Sequence, residues 1–367
     1  MKIGIDAKRI FLNKTGLGTY GRNLLKGLNS FENENQYYLY TTKKSDIFSE
    51  KDLNQQFTTR ESKAFSKNYW RTVSISKDLE KDGIELYHGT SNELPISLGN
   101  CNIKTVVDIH DLLFLRFPKF YSFFDRQIFR LKTEFACKNA DIIVATSQAT
   151  KYDIVKFYGT NPEKIKVVYQ SCDPSFYIER SVEETQLVTE KYKLPKEYIL
   201  CVGTIQERKN QKQILEALKI CKTKIPLVLV GGGKEYKKEL VQFAKENQLD
   251  LYIPEIFVRN EDLPAIYQMA SIFVFPGLYE GFGIPVLEAM ASKTQVITSI
   301  NTSMGEIATN TLNLINPLSP EDIAERIESF LNNKNESLIE ENFQRALEFS
   351  NKNFVKSILS IYKKLLS

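Results

Sequence analysis

Short runs of Val, Ile, Leu and aromatic residues alternate with longer amphipathic stretches from one end of the chain to the other. Runs of this kind are typical of strands that are buried on both faces of a parallel sheet. Strands are predicted at residues 2–6, 37–40, 84–88, 103–109, 141–147 and 166–169, and then at 198–203, 226–231, 251–257, 272–276, 294–299 and 312–315. Helical patterns lie between them, for example at residues 124–140 and 211–223. The alternation predicts an α/β architecture.

The strands form two series, which predicts two doubly wound domains in tandem. A length of 367 residues agrees with two domains at ~150 residues each. Residues 178–198 separate the series and are polar and charged, so we interpret them as a linker. The predicted domains are residues 1–178 and 195–352. The amphipathic stretch 353–367 predicts a terminal helix with an apolar stripe that must be buried.

Composition excludes several classes of protein. A net charge of +4 is too small for a dedicated nucleic-acid binder. Five scattered cysteines without a C-x-x-C pair predict free thiols in a reducing cytoplasm. The chain enters a strand at residue 2, so no signal peptide is expected, and no apolar run approaches the ~18 residues that span a bilayer. We therefore expect a cytoplasmic protein.

Glycines at positions 16, 18 and 21 have the spacing G-x-G-x-x-G of a dinucleotide-binding turn. That turn follows a strand directly, whereas nine residues, 7–15, separate these glycines from the strand at 2–6. The strand at 37–40 also lacks an acidic residue at its end to hold a ribose hydroxyl. The spacing therefore predicts a glycine-rich loop before a helix at 19–28, with an ordinary surface loop as the alternative.

The stretch 276–297 has the pattern of an anion site. A loop with glycines follows a predicted strand, and Pro285 suits the first turn of the next helix, where its missing N–H costs nothing. The N-terminus of that helix offers N–H groups and the positive end of a dipole. Glu280 in the loop and Glu288 in the helix could each accept two hydrogen bonds from a vicinal diol.

A second candidate site follows the predicted strand 198–203. Arg208 and Lys209 are adjacent cations at the start of a helix, where the dipole disfavours positive charge. A phosphate ligand would explain them, because Arg offers a bidentate fork and Lys a point charge. A solvated basic pair is the alternative.

These segments resemble family 4 of the retaining glycosyltransferases with the GT-B fold. Glu280 and Glu288 match the E-x7-E signature of that family, with G-F-G-I-P between them, and residues 203–210 match its G-x-x-x-x-R-K-N segment. The resemblance covers almost the whole chain and is weakest across residues 45–80 and the linker. It implies two Rossmann-like domains that face each other across a cleft, with the helix 353–367 crossing back to the first domain.

The resemblance also implies roles for individual residues. Arg208 and Lys209 bind the diphosphate of the donor, Glu280 the sugar hydroxyls and Glu288 the ribose. Backbone groups complete the donor site; they belong to Gly203, Val258, Gly281, Phe282, Gly283 and Ile284.

In the first domain, the resemblance implies that His110 faces the donor sugar, with Asp111 beside it. His88 is expected to line the cleft. The N-terminal loop is expected to pivot at Gly16 and Gly18 and to reach over the donor phosphates.

Together these expectations describe an enzyme. It would move a hexose from a GDP- or UDP-linked sugar to a glycan or lipid-linked acceptor with retention of configuration, in cell-surface polysaccharide synthesis. The chain has no Asp-x-Asp and no zinc spacing, so no metal or other cofactor is expected. Aromatic residues and cations interleave over 112–132, which suits peripheral contact with the inner face of the membrane.

Rival functions remain open at this stage. A nucleotide-sugar epimerase or a phosphorylase would share the fold, and a non-catalytic sugar-binding protein would keep the fold without needing both cations and both glutamates. An NAD-dependent dehydrogenase would bind NAD.

Overall fold

The computed structural model describes residues 1–32, 34–45, 47–300 and 302–367. The chain forms two compact units, residues 1–171 with 351–367, and residues 172–350. Each unit is built on a parallel sheet.

The strands are short and mostly buried. They are β1 Lys2–Asp6, β2 Gln36–Thr41, β3 Phe57–Glu61, β4 Leu86–Gly89, β5 Lys104–Ile109, β6 Ile142–Ala145, β7 Ile165–Val167, β8 Ile199–Val202, β9 Leu227–Val230, β10 Leu251–Tyr252, β11 Ile272–Phe275, β12 Val296–Ser299 and β13 Leu314–Ile315.

Most of the helices lie between strands in the sequence, and the last three follow β13. They are α1 Lys8–Leu12, α2 Gly16–Phe31, α3 Lys67–Tyr69, α4 Ile75–Asp82, α5 Leu113–Arg116, α6 Phe123–Asn139, α7 Gln148–Tyr158, α8 Val182–Tyr192, α9 Gln211–Ile220, α10 Glu235–Glu246, α11 Leu263–Met269, α12 Ile284–Ala291, α13 Ser303–Ile307, α14 Pro320–Asn332, α15 Glu336–Glu348 and α16 Asn351–Leu366.

Within the described residues, the first unit has a seven-stranded sheet in the order β3-β2-β1-β4-β5-β6-β7. The described part of the second unit has six strands in the order β10-β9-β8-β11-β12-β13. In each sheet the second and third strands of the unit lie on one side of its first strand, and the fourth and later strands lie on the other side. The direction of strand addition therefore reverses between the first and fourth strands. In such sheets ligands bind outside the carboxyl ends of the strands at this switch point, which lies between β1 and β4 in one unit and between β8 and β11 in the other.

The sequence patterns missed β3. This strand pairs with β2 at the edge of the first sheet, and its residues Phe57–Glu61 are partly or fully exposed. A strand at an edge needs no continuous apolar run, so periodicity alone gave no signal for it.

Interpretation of residues 178–198 as a linker is wrong. Val182–Tyr192 is a helix of the second unit, and its N-terminus is closed by a capping box in which Ser181 and Glu184 bond each other's backbone N–H groups. The capping box is visible in the sequence as S-x-x-E, but the exposed, charged face of this helix resembles a linker in composition.

The predicted glycine loop is also corrected, because Gly16, Gly18 and Gly21 lie in the first turns of helix α2. A Cβ at Gly18 would stand 1.9 Å from the carbonyl oxygen of Asn13. Position 18 therefore requires glycine, because the segment after α1 crosses α2 there. Since Gly16 and Gly18 are both helical, they are not loop pivots.

Helix α16 belongs to the first unit. Its residues Phe354, Val355, Ile358 and Tyr362 are buried in the same core cluster as strands β1 and β2 and helix α2.

Candidate active site

A partly buried ion cluster lies at the switch point of the second sheet. Arg208 and Lys209 follow β8, and Glu280 follows β11. Arg208 Nη1 lies 2.7 Å from Glu280 Oε1, and Lys209 Nζ lies 2.6 Å from the same oxygen. Two segments that are 72 residues apart in sequence therefore form one site with two cations and one carboxylate.

In this cluster, burial and the neighbouring opposite charges shift the pKa values of Lys209 and Glu280 in opposite directions. Burial lowers the pKa of Lys209, and the attraction of Glu280 offsets only part of that shift. Burial would raise the pKa of Glu280, but Lys209 and Arg208 outweigh it and hold that pKa below its ordinary value. Glu280 is therefore ionised at neutral pH. The Phe275 ring, with its centroid 5.0 Å from Lys209 Nζ, adds a cation–π contact.

Asn210 fixes the turn that carries the two cations. Its backbone is left-handed, with φ of 61°. Its Nδ2 donates to the carbonyls of Pro276, at 3.1 Å, and Pro317, at 2.6 Å. The N–H of Leu278 donates to the carbonyl of Arg208 at 2.9 Å. These bonds tie the loop after β8 to the loop after β11.

The loop that contains Glu280 leads into helix α12. Gly283 is its N-cap, with φ of 115°, and Ile284 is its first residue. A Cβ at Gly283 would lie 2.7 Å from the Met304 side chain, so this position needs glycine for both space and backbone conformation. Gly281 and Phe282 precede it, and Ser303 Oγ donates to the Glu280 carbonyl at 2.6 Å. The turn therefore presents the N-terminus of α12 beside the ion cluster.

Glu288 lies one turn into α12, and its pKa is shifted in the opposite direction to that of Glu280. Burial raises its pKa to about 8, a hydrogen bond from Tyr267 opposes that rise, and the nearby charge of Asp173 adds to it. Tyr267 Oη donates to Glu288 Oε2 at 2.9 Å. Two glutamates eight positions apart thus differ in charge at neutral pH because only Glu280 has cations beside it.

This shift predicts a pH dependence of stability. The unfolded chain releases the Glu288 proton near pH 4.5 and the folded chain near pH 8. The stability contributed by the protonated form is complete below pH 4.5 and is lost as the pH rises to about 8, at up to ~1.4 kcal/mol per pH unit. Glu288→Gln, which mimics the neutral acid, should gain stability relative to the native chain over this window. Urea unfolding of both proteins at several pH values tests this, and parallel stability curves would contradict it.

Two further predicted donor residues lie in other loops of the same sheet edge. Gly203 follows β8 directly, and its N–H donates to the Val230 carbonyl at 2.9 Å. Val258 is buried in the loop between β10 and α11. The ion cluster includes neither residue.

In the first unit, His110 follows β5 and is buried. Its Nε2 lies 2.9 Å from the Thr90 carbonyl oxygen. A carbonyl can only accept, so Nε2 carries a proton and the neutral ring has its lone pair on Nδ1. Tyr20 meets the ring edge-on, with centroids 4.6 Å apart. These contacts fix both the plane and the tautomer of His110.

His88 does not line a surface, which corrects the prediction for this residue. It is fully buried; Nε2 bonds Asp108 Oδ1 at 2.8 Å, and Nδ1 bonds the hydroxyl of Tyr362 at 2.6 Å. The triad connects β4, β5 and α16. Sequence analysis missed Asp108 and Tyr362 because they are far apart in sequence and meet only in the folded core.

Asp111 is partly exposed beside His110. Its Oδ1 accepts from the Leu113 N–H at 3.0 Å, and its carbonyl accepts from Asn92 Nδ2 at 3.1 Å. These bonds shape the turn into α5.

Comparison with known proteins agrees with the fold. Residues 15–176 match the model described as Glycosyltransferase Family 4, and residues 182–345 match Glycosyl transferases group 1. The chain therefore belongs to the group 1, family 4 glycosyltransferases. It is a glycosyltransferase with the GT-B fold.

Among its relatives is O-antigen chain mannosyltransferase B of Escherichia coli, 27% identical over 76% of this chain and 74% of that protein. Another is the serotype-specific mannosyltransferase WbdA of Escherichia coli, 29% identical over 68% of this chain; the match spans only 32% of that longer protein. The fold is similar to that of Anabaena Alr3699/HepE, solved in complex with UDP and glucose. The TM-score is 0.79 over 99% of this chain and 100% of that chain, at 17% identity.

Proposed function

We propose that the protein transfers a hexose, with retention of configuration, from a nucleoside-diphosphate sugar to a glycan or lipid-linked acceptor in cell-surface polysaccharide synthesis. The observation that carries this proposal is the pair Arg208–Lys209, held on Glu280 beside the N-terminus of α12. The names of the mannosyltransferase relatives favour mannose as the hexose.

The ion cluster suits a leaving diphosphate. Two cations against one carboxylate leave one positive charge, which attracts an anion. When a diphosphate binds, its oxygens replace Glu280 Oε1 as the partner of Arg208 and Lys209. The cations then stabilise the charge that develops as the bond between the sugar and the phosphate breaks, and Glu280 is free to accept hydrogen bonds from the sugar hydroxyls.

Neighbouring groups would place the rest of the donor. The N–H groups around Gly281, Phe282 and Gly283, at the positive end of α12, suit the sugar and its phosphate. Glu288 would bond the ribose, and the loop with Val258 the base.

We further propose that the acceptor hydroxyl attacks the sugar from the face that the diphosphate leaves. A new carbon–oxygen bond forms as the bond to phosphate breaks, and the hydroxyl proton passes to the departing phosphate oxygen, so the configuration is kept. His110, with its lone pair on Nδ1, would accept a hydrogen bond from a sugar hydroxyl.

A thermal-shift panel of UDP, GDP and ADP and their hexose conjugates tests the donor site and identifies the base. A ligand at 100 times its Kd stabilises the fold by ~2.7 kcal/mol. Incubation with the best donor and a glycan acceptor then separates transfer from epimerisation by the product formed. Stabilisation by NAD but by no nucleoside diphosphate would refute the proposal.

We also propose that transfer needs no divalent metal, because Arg208 and Lys209 supply positive charge to the leaving diphosphate. Turnover should be unchanged by EDTA and by added Mg²⁺ or Mn²⁺. Loss of turnover in EDTA with recovery on adding metal would contradict this.

The surface of α6 favours contact with a membrane. No helix in the described part of the chain is long and apolar enough to cross a bilayer. Five apolar side chains on α6 are nevertheless exposed, namely Phe123, Phe124, Ile128, Phe129 and Leu131. Arg126 lies over the Phe123 ring, 5.5 Å from its centroid. We propose that this surface rests on anionic lipid, with the rings inserted and the cations at the headgroups.

Phe124→Ser should weaken binding to phosphatidylglycerol vesicles by about tenfold or more, because burying one Phe is worth ~1.5–3 kcal/mol. Phe31→Ser, on helix α2, is the matched control, since Phe31 is also exposed. Vesicle co-sedimentation measures both. Equal binding by the two variants would contradict a role for α6.

A further inference from the structure

Helix α8 ends beside a long loop of the second unit. Residues 253–262 form this loop and connect β10, a strand of two residues at the edge of the second sheet, to α11. A loop in this place leaves the carboxyl end of a parallel strand, where ligands bind. It carries Val258, and the proposed function assigns the nucleobase of the donor to it. Because so short a strand holds the start of the loop weakly, the shape of the loop depends on other contacts.

A single tyrosine of α8 bonds both ends of the loop. Tyr192 is the last residue of α8 and is buried. Directly before the loop, the hydroxyl of Tyr252 donates to the Tyr192 carbonyl. Near the end of the loop, the Tyr192 hydroxyl accepts from the Arg259 N–H at 3.2 Å and donates to Asp262 Oδ2 at 2.6 Å. The backbone and the side chain of one residue therefore hold the loop at its start and at its end.

Asp262 receives further hydrogen bonds at the same point. Its Oδ2 also accepts from Lys191 Nζ at 2.7 Å and from Arg259 Nε at 3.1 Å. Burial would raise the pKa of Asp262, but these bonds and the one from the Tyr192 hydroxyl lower it to about 2. The carboxylate is therefore ionised at neutral pH, and hydrogen bonds to an ionised group are the stronger kind.

The end of α8 leaves Tyr192 available for these contacts. Lys193, the next residue, has a left-handed backbone with φ of 51°, and its N–H donates to the Glu190 carbonyl at 3.2 Å. The last carbonyl groups of a helix have no partner inside it, and the Tyr252 hydroxyl supplies one for the Tyr192 carbonyl. The turn that ends α8 thus directs the chain away and places Tyr192 against the loop.

Between its two ends the loop exposes apolar side chains. Ile256 is 52% exposed and Phe257 is 82% exposed, whereas Val258 is buried. Every nucleobase has a flat π-face, which aromatic side chains can cover. A base that lies on this loop would remove exposed apolar surface from water, so a flat aromatic ligand suits it.

We infer that Tyr192 is a positioning residue for the donor nucleobase, because it fixes the ends of the loop 253–262 in the shape that receives the base. This inference rests on the proposed function and adds to it a residue that acts through the loop. Without the Tyr192 hydroxyl, only a fraction of the molecules has the loop in that shape, and the apparent affinity for a nucleotide falls by this fraction. Arg208 and Lys209 lie after β8 and bond Glu280 after β11, so recognition of the diphosphate should be unaffected.

Tyr192→Phe tests this role, because it removes the hydroxyl and keeps the ring. Isothermal titration compares the nucleotide chosen by the thermal-shift panel with inorganic pyrophosphate, which has no base. Tyr192→Phe should weaken nucleotide binding about tenfold, as expected when about one loop in ten has the competent shape, and should leave pyrophosphate binding unchanged. Hydrogen exchange of residues 253–262 should be faster than in the native chain. Asp262→Asn, which removes the charge that the hydroxyl bonds, should show the same pattern.

Tyr198→Phe is the matched control. Tyr198 is also buried in the second unit, and its hydroxyl donates to the Ile266 carbonyl on α11 at 2.7 Å. This variant therefore loses a buried hydrogen bond outside the loop. Both tyrosine variants should lower the Tm, but only Tyr192→Phe should change the ratio of nucleotide affinity to pyrophosphate affinity. That ratio separates positioning of the base from a general loss of stability.

The possible results separate this inference from the proposed function. Native nucleotide affinity in Tyr192→Phe, or the same loss in Tyr192→Phe and Tyr198→Phe, overturns the role of Tyr192 and leaves the donor site standing. Equal losses of nucleotide and pyrophosphate affinity in Tyr192→Phe also overturn it, and so does native hydrogen exchange of residues 253–262 in that variant. A native chain that binds no nucleotide refutes the proposed function, and this inference with it.

Discussion

Replacing Lys209 with alanine should weaken nucleoside-diphosphate binding by roughly 10- to 150-fold, since a hydrogen bond to a charged group is worth ~1.5–3 kcal/mol. Lys209 Nζ is held 2.6 Å from Glu280 in a buried position, so little of its side-chain entropy remains to be lost when a ligand arrives. Arg208→Ala should have an effect in the same range, because it removes a bidentate fork from the same site. The same loss should appear in kcat/KM if the pair stabilises the leaving group.

Glu280 keeps one cationic partner in either single variant, so its carboxylate is not left unpaired and the fold should survive. The matched control is Lys212→Ala, on the next helix, whose cation bonds Glu239 in an exposed pair. Such pairs contribute little, ~0–1 kcal/mol. Isothermal titration with the nucleotide chosen by the thermal-shift panel measures all three variants. Native affinity and native turnover in both Arg208→Ala and Lys209→Ala would refute a diphosphate site here.

Deleting residues 353–367 should unfold the first unit. The deletion removes Phe354, Val355, Ile358 and Tyr362, which are all buried. Burying one such side chain is worth ~1.5–3 kcal/mol, so the loss is on the order of the entire ~5–15 kcal/mol that stabilises a domain. It also leaves the buried His88 without the Tyr362 hydroxyl.

Hydrogen exchange of strands β1 and β4 reports this loss directly. Tyr362→Phe, which removes only the hydroxyl, should produce a smaller destabilisation of ~1–3 kcal/mol because it leaves a buried polar group unpaired. Lys363→Ala, on the exposed face of the same helix, should have little effect. Native protection of β1 and β4 in the truncated chain would show that α16 is dispensable for the first unit.

Apolar runs in the sequence were sufficient to predict most of the strands. The apolar runs predicted strands at the positions of β1, β2 and β4–β13, because strands buried on both faces require continuous apolar residues. Local patterns failed where tertiary contacts replace them. Edge strand β3 has no apolar run, and α8 has the composition of a linker. In α2, Gly18 and Gly21 are explained only by close contact with the segment that precedes the helix.

The candidate active site was predicted in part. Sequence resemblance pointed to Arg208, Lys209, Glu280 and Glu288, but the residue types alone did not show that the first three form one ion cluster. The opposite protonation of the two glutamates also depends on which charges lie next to each carboxylate in the fold. His88 has the same local signal as His110, a histidine near the end of an apolar strand. Its buried bonds to Asp108 and Tyr362 distinguish the two.

The sequence by itself determined the α/β class, the two series of strands and the residue types at the carboxyl ends of those strands, because burial and periodicity act over a few neighbouring residues. Only the tertiary structure decided which distant residues meet. It placed Arg208 and Lys209 on Glu280, joined Asp6, Arg71, Glu93 and Lys132 in one ion network, and buried His88. Charge, protonation and pocket shape depend on distances in space, and the order of strands in each sheet sets those distances.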